Sequence, residues 1–402
     1  MNINRLKMQS LFEEINTYTM MRISSITILF CCFFNLSLTG CQSKQSSDNN
    51  HSECTDSILQ IKGEKHLLMD NADNPTSGHI RYYERNGNSY LVQGNENQQT
   101  ISVYDYHSGK KTSESSLEGA NGEFFAYNAD TAFVISNRKN STIYFWNKGT
   151  TKDFKVKVKV RTGQVEQFPR CTLDGGVNIG GKWYFSCFRL GEYPDEMQSG
   201  KDRFPLLEVD LERGSSRFLG AYPELYAHNN MGTLNYWVPD LCSERIGDKL
   251  LIGFKASPDM LLLNPSSGES HFVSVKSIYA DTIPLPLTAK GRDYLSDDES
   301  YYYYAQYSHY GAICYDRWRK IYYRFVGIGL NDWTLAPSPL LQNKKKWSVM
   351  VFDEAFNKLG EQYLGDAYQI DQHFVSPEGL YILKKTENDA VAVYTLFEYI
   401  QK

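Results

Sequence analysis

The chain has 402 residues, of which 42 are Lys or Arg and 47 are Asp or Glu, so its formal net charge at pH 7 is −5. This acidic balance removes the basic surface that dominates affinity for nucleic acids, so neither DNA nor RNA is an expected partner. Hydrophobic residues make up 41% of the chain, which excludes an intrinsically disordered protein. Tyrosine is unusually frequent, with 29 residues.

An apolar stretch near the N-terminus predicts a signal peptide over residues 1–40. The stretch extends from Ile26 to Phe34, which is too short to span a bilayer. It is followed by Leu38-Thr39-Gly40-Cys41, which resembles the bacterial lipobox. This resemblance implies that the Cys41 thiol is diacylated and that the chain is cleaved before it.

The segments on either side of this motif add to the prediction. The acidic pair Glu13-Glu14 does not fit the basic start of such a signal. The true start is therefore predicted at Met20 or Met21. Residues 41–56 are polar and have no apolar pattern, which indicates a flexible tether. We expect the protein to be held at the outer membrane by its N-terminal lipid, in either the periplasmic or the surface leaflet.

From Gly87 onward, short segments rich in β-branched and aromatic residues alternate with clusters of Gly, Asn, Asp and Ser. One pattern recurs, in which a strand ends in Asp or Asn and is followed by a turn and a second strand. Such side chains suit tight turns, because their oxygen accepts a hydrogen bond from the backbone two residues on. The recurring turn residues are Asp105, Asn147, Asp210, Asn264 and Asp353.

This repeat predicts an all-β fold, a single six-bladed β-propeller over residues 57–402. A blade of four strands needs about 40 to 50 residues, so the longer intervals between some turn residues indicate insertions. Five marked turns and a last blade from about Gly365 to Ile400 make six blades. The strand that closes the ring is expected at Ser57 to Ile61. A seven-bladed ring and a pair of β-sandwiches are the alternative architectures.

The most distinctive segment is residues 307–329. It contains a strand that closes on Tyr315-Asp316 and a basic turn from Arg317 to Lys320. A return strand then runs from Ile321 to Phe325. Together with the lipobox and the repeated turns, this segment resembles a family of Bacteroidetes lipoproteins of unknown function that are similar to six-bladed β-propellers. The resemblance implies a fold and a cellular address, but no activity and no catalytic residues.

Three Asp-Ser/Thr-apolar tripeptides resemble the O-glycosylation sequon of these bacteria. Their hydroxyl-bearing residues are Ser57, Thr131 and Thr282. The tripeptide Asp130-Thr131-Ala132 is also explained by a turn that enters a strand.

Motifs for chemistry are lacking. Gly176–Lys182 matches the first half of a phosphate-binding loop, but Trp183 stands where a Ser or Thr is required and a strand follows. We interpret this segment as a hairpin turn. The sequence has no H-E-x-x-H and no G-x-S-x-G motif, and its mature cysteines lack the C-x-x-C spacing of zinc sites. No cofactor and no metal is expected. Cys171 and Cys187 are either a disulfide or buried free thiols.

A propeller usually places ligands at one mouth of its central channel. Seven residues are candidates for such a mouth, because they lie in long insertions or near runs of aromatic residues: His228, Asn230, Tyr236, Trp237, Arg245, His309 and Arg317. Tyr and Trp side chains are suited to stacking on sugars and peptides. By contrast, Lys344–Lys346 is interpreted as a solvated loop.

These observations favour a binding module for a glycan or a protein partner over an enzyme. The first alternative is a carbohydrate-active hydrolase or lyase on the same fold, which would need two facing carboxylates or a His-Tyr pair. The second is a structural component of an envelope complex.

Overall fold

The structure is a computed structural model whose described residues form six small antiparallel sheets arranged as the blades of a β-propeller. These residues all lie in one unit, Thr55–Lys402. The described ranges are 58–69, 78–95, 98–116, 122–136, 142–147, 150–155, 167–169, 175–189, 203–227, 231, 234–242, 244, 246–280, 297–330, 344–386 and 391–401.

Short strands separated by turns account for most of the described chain. In chain order they are β1 (Leu59–Leu68), β2 (Ile80–Arg85), β3 (Asn88–Asn95), β4 (Thr100–Asp105), β5 (Lys111–Ser116), β6 (Glu123–Asn128), β7 (Thr131–Ser136), β8 (Thr142–Asn147), β9 (Thr150–Lys155), β10 (Gln167–Pro169), β11 (Val177–Ile179), β12 (Lys182–Arg189), β13 (Leu206–Asp210), β14 (Ser215–Leu219), β15 (Asp240–Leu241), β16 (Leu250–Phe254), β17 (Ser257–Leu263), β18 (Ser270–Ser274), β19 (His309–Asp316), β20 (Ile321–Ile328), β21 (Lys346–Asp353), β22 (Lys358–Gly365), β23 (Tyr368–Ser376), β24 (Gly379–Lys384) and β25 (Val391–Tyr399).

In the described part of the chain, three helices lie between blades. They are α1 (Glu224–Ala227), α2 (Leu234–Trp237) and α3 (Asp297–Gln306). The helices of the described chain are all too short or too polar to cross a membrane. Because α3 lies in the long interval between Asn264 and Asp353, that interval holds an insertion and no seventh blade in its described part.

Each blade is built from strands that follow one another from the channel outwards. Blade 1 is β2–β5, blade 2 is β6–β9, blade 4 is β15–β18 and blade 5 is β19–β22. Blade 3 is β10–β14, in which β10 and β11 both pair with β12. Blade 6 is β23–β25 with β1 as its outermost strand. The prediction of a six-bladed propeller is confirmed.

The N-terminal strand closes the ring by completing the last blade. Leu59 pairs with Tyr399 and Leu68 pairs with Val391 in an antiparallel register. The Ile400 amide also donates to the Ile58 carbonyl at 3.0 Å. The predicted closing segment is therefore confirmed at Ile58–Ile61, and the closing strand continues to Leu68.

Apolar side chains cover both faces of the blades. Successive residues of a strand point to opposite faces. In β17, Leu261 and Leu263 pack in the cluster shared with blade 3, while Met260 and Leu262 pack in the cluster shared with blade 5. Each pair of neighbouring blades shares one such cluster of described residues. This arrangement explains why the central strands are apolar throughout and do not alternate with polar residues.

The predicted turn role of the recurring Asp and Asn side chains is confirmed in the turns that lead to the outer strands. The Asp105 carboxylate accepts a hydrogen bond from the Ser108 amide at 2.7 Å. Asp353 accepts from the amides of Ala355 and Asn357 at 2.9 and 2.8 Å. These carboxylates are therefore used to stabilise turns.

Two further sequence interpretations concern β11 and β12. The glycine-rich segment before Lys182 is a hairpin turn between these strands, as predicted. Gly180 and Gly181 have positive φ angles of 59° and 84°, which glycine adopts without strain. Of the two alternatives for Cys187, the structure has the buried free thiol, which donates to the Phe204 carbonyl.

Adjacent leucines of β1 provide a test of the ring closure. Leu67 is fully buried between blades 6 and 1, whereas Leu68 is 50% exposed. We expect Leu67→Ala to lower the free energy of unfolding by about 2–5 kcal/mol, because it leaves a cavity in that interface. Leu68→Ala is the control and should change it by no more than about 0.5 kcal/mol. Urea unfolding followed by tryptophan fluorescence measures both, and equal effects would contradict the packing of β1.

Candidate functional site

The innermost strands enclose a narrow cavity, which we call the axial cavity. It has a volume of about 50 Å³ and is lined mainly by residues of β2, β6, β19 and β23. Its walls are largely aromatic, with polar groups at a few positions. The lining includes His79, Phe125, Glu244, Tyr315, Trp318 and His373.

A larger cavity, which we call the vestibule, adjoins the axial cavity at one mouth of the channel. It has a volume of about 360 Å³ and is lined by Arg81, Tyr83, Glu84, Tyr127, Asn178 and Arg317, among others. Many of these residues lie where an innermost strand ends and turns into the second strand of its blade. Arg81, Tyr82 and Glu244 line both cavities, so the two are neighbours.

A turn of blade 5 reaches across this mouth to blade 1. Arg317 Nη2 lies 3.7 Å from Glu84 Oε2, and both side chains are about half exposed. The Trp318 ring meets the Tyr82 ring edge-on, with 5.7 Å between the centroids. Tyr82 also donates its hydroxyl hydrogen to Glu84 at 2.7 Å. Because blade 6 lies between blades 5 and 1 in the ring, these contacts span the mouth of the channel.

Burial controls the charges of the groups along the channel. It lowers the pKa of His79 and of His373 to about 4, so both imidazoles are neutral at pH 7. It raises the pKa of the Tyr82 hydroxyl to about 12, so this group stays a hydrogen-bond donor. The guanidinium of Arg81 lies over the Tyr127 ring, 4.6 Å from its centre. Among the described residues, the charged groups of the lining are thus Arg81, Glu84, Glu244 and Arg317.

The vestibule has the chemistry of a binding site for a polar ligand. Tyrosine rings offer faces for stacking, and the charged and amide groups offer hydrogen bonds. The side chains of Asn178 and Glu244 have no hydrogen bond or ion pair with the described residues. Among those residues, no three His, Cys, Asp or Glu side chains come together in a way that could hold a metal ion.

Comparison with known proteins places the chain in a family. Residues 54–363 match the model of the family described as Domain of unknown function (DUF4221). The chain belongs to the DUF4221 family. This finding and the propeller confirm the resemblance to a family of unknown function with six blades. None of the curated proteins matches this DUF4221 chain.

Many solved structures resemble the DUF4221 chain in fold, including two from Bacteroides species. A crystal structure of a DUF4221 family member from Bacteroides vulgatus ATCC 8482 has a TM-score of 0.68 at 16% identity, and the match covers 86% of this chain and 98% of that one. A protein from Bacteroides fragilis NCTC 9343, described as an exported protein, has a TM-score of 0.50 at 10% identity, covering 87% and 98%.

Of the residues predicted for a channel mouth in this DUF4221 chain, Arg317 lines the vestibule. Tyr236 and Trp237 are both 1% exposed and pack between blades 3 and 4. The Tyr236 ring meets the rings of Tyr303 and Tyr304 edge-on, at centroid distances of 5.7 and 5.1 Å. The aromatic surfaces of Tyr236 and Trp237 are therefore used in packing between these blades. Three further candidates lie outside the described residues, namely His228, Asn230 and Arg245.

His309 is buried next to a buried lysine. The amino group of Lys345 donates to His309 Nδ1 at 2.8 Å and to the carbonyls of Tyr304 and Tyr307 at 2.5 and 2.8 Å. Burial, and then the nearby Lys345 side chain, hold the pKa of His309 well below its ordinary value. His309 thus belongs to a packed network that fixes the end of α3. Gly327 pairs with it across the strands, and a side chain there would overlap the imidazole.

The interpretation of the three consecutive lysines as a solvated loop is wrong for Lys345. This side chain is fully buried, whereas Lys344 and Lys346 are exposed. The physical reason is that the carbonyls at the end of α3 lack partners within the helix, and Lys345 supplies donors to two of them.

The predicted modification sites lie mostly outside the described residues, which do not include Cys41, Ser57 or Thr282. Thr131 is the first residue of β7, is half-buried and pairs with Asn147. The Asp130 amide donates to Asn128 Oδ1 at 2.9 Å, so this tripeptide forms a turn that enters a strand.

Most residues of the vestibule were not singled out from the sequence. Arg81, Tyr83, Tyr127, Asn178 and Glu244 lie on or next to short innermost strands that mix polar and apolar residues. One signal was present for β2, since the dipeptide Asn86-Gly87 is typical of a two-residue hairpin turn. Both residues have positive φ angles, 52° and 77°, as such a turn requires.

The lysine run provides a test of the His309 network in the DUF4221 protein. Lys345→Met should lower the free energy of unfolding by about 2–5 kcal/mol, because two buried acceptors and one partly buried acceptor lose their donor. Lys344→Met, at the exposed neighbouring position, should change it by no more than about 0.5 kcal/mol. Thermal and urea unfolding measure both variants. A Lys345→Met protein as stable as the Lys344→Met protein would contradict a structural role for this network.

Proposed function

We propose that this protein is a ligand-binding module of the bacterial cell envelope, and that the vestibule takes up a glycan or a peptide. The observation that carries the proposal is the vestibule itself, a cavity of about 360 Å³ at a channel mouth with tyrosine rings and hydrogen-bonding groups in its wall. Concave sites with a few convergent polar groups are the usual places for ligands.

A glycoside hydrolase would need a facing pair of carboxylates, and the described lining offers Glu84 and Glu244. Glu84 is already bound by Arg317 and by the Tyr82 hydroxyl. A carboxylate held in this way is less available as a nucleophile or a base, which favours binding over hydrolysis. An open vestibule also argues against a purely structural role, for which a closed mouth is expected.

The envelope location rests on the N-terminal sequence. We propose that Cys41 carries the lipid, that the protein is anchored to the outer membrane, and that the polar residues before Ile58 connect the lipid to the propeller. The description of the similar Bacteroides fragilis protein as exported supports this address.

Arrays of glycans and peptides, probed with the purified mature protein in detergent, test the binding function. We expect at least one bound class, and we expect Tyr83→Ala combined with Asn178→Ala to weaken its binding at least about tenfold, since both residues line the vestibule. Tyr363→Ala is the matched control, because this tyrosine is exposed on β22 away from the mouth.

Undiminished binding by the Tyr83/Asn178 variant would refute the vestibule as the binding site. Release of a cleaved product from a bound glycan would instead favour the hydrolase alternative.

Metabolic labelling with an alkyne analogue of palmitate tests the anchor. The wild-type protein should be labelled and should sediment with the outer membrane. Cys41→Ala should lose both properties, whereas Cys54→Ala, which removes the next cysteine of the chain, should keep them. Labelling that persists in Cys41→Ala would refute the proposed lipidation site.

A further inference from the structure

We infer that the ligand of the vestibule is a peptide with an alkylammonium group, such as a lysine side chain, which binds at Glu244. This inference rests on the proposed binding function and specifies its chemistry. It depends on the charge of the lining, on the aromatic walls of the axial cavity and on the size of that cavity.

Glu244 is the carboxylate at the junction of the two cavities. It follows β15, is half-buried, and lines both the axial cavity and the vestibule. It makes no hydrogen bond or ion pair with any described residue. Among the other described charges of the lining, Glu84 lies beside Arg317, and Arg81, which lines both cavities, has its guanidinium over the Tyr127 ring. A cationic group of a ligand is the natural partner for the charge of Glu244.

The axial cavity beside Glu244 has walls that suit a cation. Five aromatic side chains of the described residues line it: Tyr82, Phe125, Tyr315, Trp318 and Phe374. Aromatic faces attract ammonium groups through the negative potential above the ring. The two histidines of the lining are neutral at pH 7 because burial lowers their pKa to about 4, so they do not repel a cation there. A carboxylate next to aromatic rings is therefore suited to an amine.

The size of the axial cavity selects a slender group. Its volume is about 50 Å³, and a single water needs about 10–15 Å³ on this scale. The cavity therefore has room for about three to five non-hydrogen atoms, which fits the end of a lysine side chain and excludes a pyranose ring. The vestibule, at about 360 Å³, has room for the adjoining part of a peptide. This size difference favours a peptide over an amino sugar.

Binding of small probe molecules distinguishes the effect of a ligand's charge from the effect of its shape. The probes are n-butylammonium, n-butanol as its neutral counterpart, Nα-acetyl-lysine amide and glucosamine. Binding is followed by the indole N–H signal of Trp318 in the ¹⁵N-labelled protein, because this side chain lines the axial cavity and is 38% exposed. The signal is assigned with Trp318→Phe.

We expect n-butylammonium and Nα-acetyl-lysine amide to shift this signal, and n-butanol to bind at least about tenfold more weakly. Glu244→Gln keeps the shape of the side chain and should weaken binding of both amines at least about tenfold. Glu212→Gln is the control, because Glu212 is exposed in the turn after β13 and lines neither cavity. Circular dichroism verifies that both variants are folded.

Equal binding of n-butanol and n-butylammonium, or undiminished amine binding by Glu244→Gln, would overturn the inference. Glucosamine bound more tightly than Nα-acetyl-lysine amide would overturn the choice of a peptide. If the arrays identify a neutral glycan whose binding needs Tyr83 and Asn178 while n-butylammonium does not bind, this inference fails and the proposed function stands. If neither the arrays nor the probes show binding, both fail.

Discussion

The fold depends on one constraint, which is that every blade has two apolar faces that only its neighbours in the ring can cover. A charged side chain also helps to cover the face of a neighbouring blade. The fully buried Arg324 of blade 5 donates hydrogen bonds to the carbonyls of Phe254, Ser257 and Pro258 in blade 4. Its guanidinium also lies over the Tyr310 ring. A buried charge needs hydrogen-bond partners. The bend between β16 and β17, where the pairing shifts, presents carbonyls to the two terminal nitrogens of Arg324, whereas its Nε has no partner among the described residues.

The sequence predicted the fold better than it predicted the site, and the reason is physical. Turns such as the one at Asp105 need particular side chains, so their spacing revealed the blades and their number. By contrast, the burial of Lys345 between two exposed lysines depends on the end of α3, which is distant in sequence. Tyr236 and Tyr83 look alike in a sequence, yet one packs between blades and the other lines a cavity. Arg317 was found because its turn is distinctive, whereas the short innermost strands gave only a weak pattern.

A propeller scaffold does not determine a function, because unrelated activities share the same fold. In this protein the differences that matter lie in a few side chains at the ends of the innermost strands, contributed by separate blades. The rigid ring fixes their spacing, while the turns that carry them are exposed and tolerate change. Relatives with the same blades are therefore expected to differ in ligand where they differ at positions such as Tyr127, Asn178 and Glu244. This is a physical basis for comparing members of the DUF4221 family.

The pairing of β1 with β25 also has a kinetic consequence. Among the described strands, β1 leaves the ribosome first and β25 last, so the ring cannot close until β25 has been synthesised. Contacts between Leu59 and Tyr399 are among the longest-range in the chain, and folds with such contacts form slowly. Until then, the exposed edges of blade 6 are open to pairing with other chains. Keeping the chain unfolded until β25 is available would therefore limit this pairing between chains.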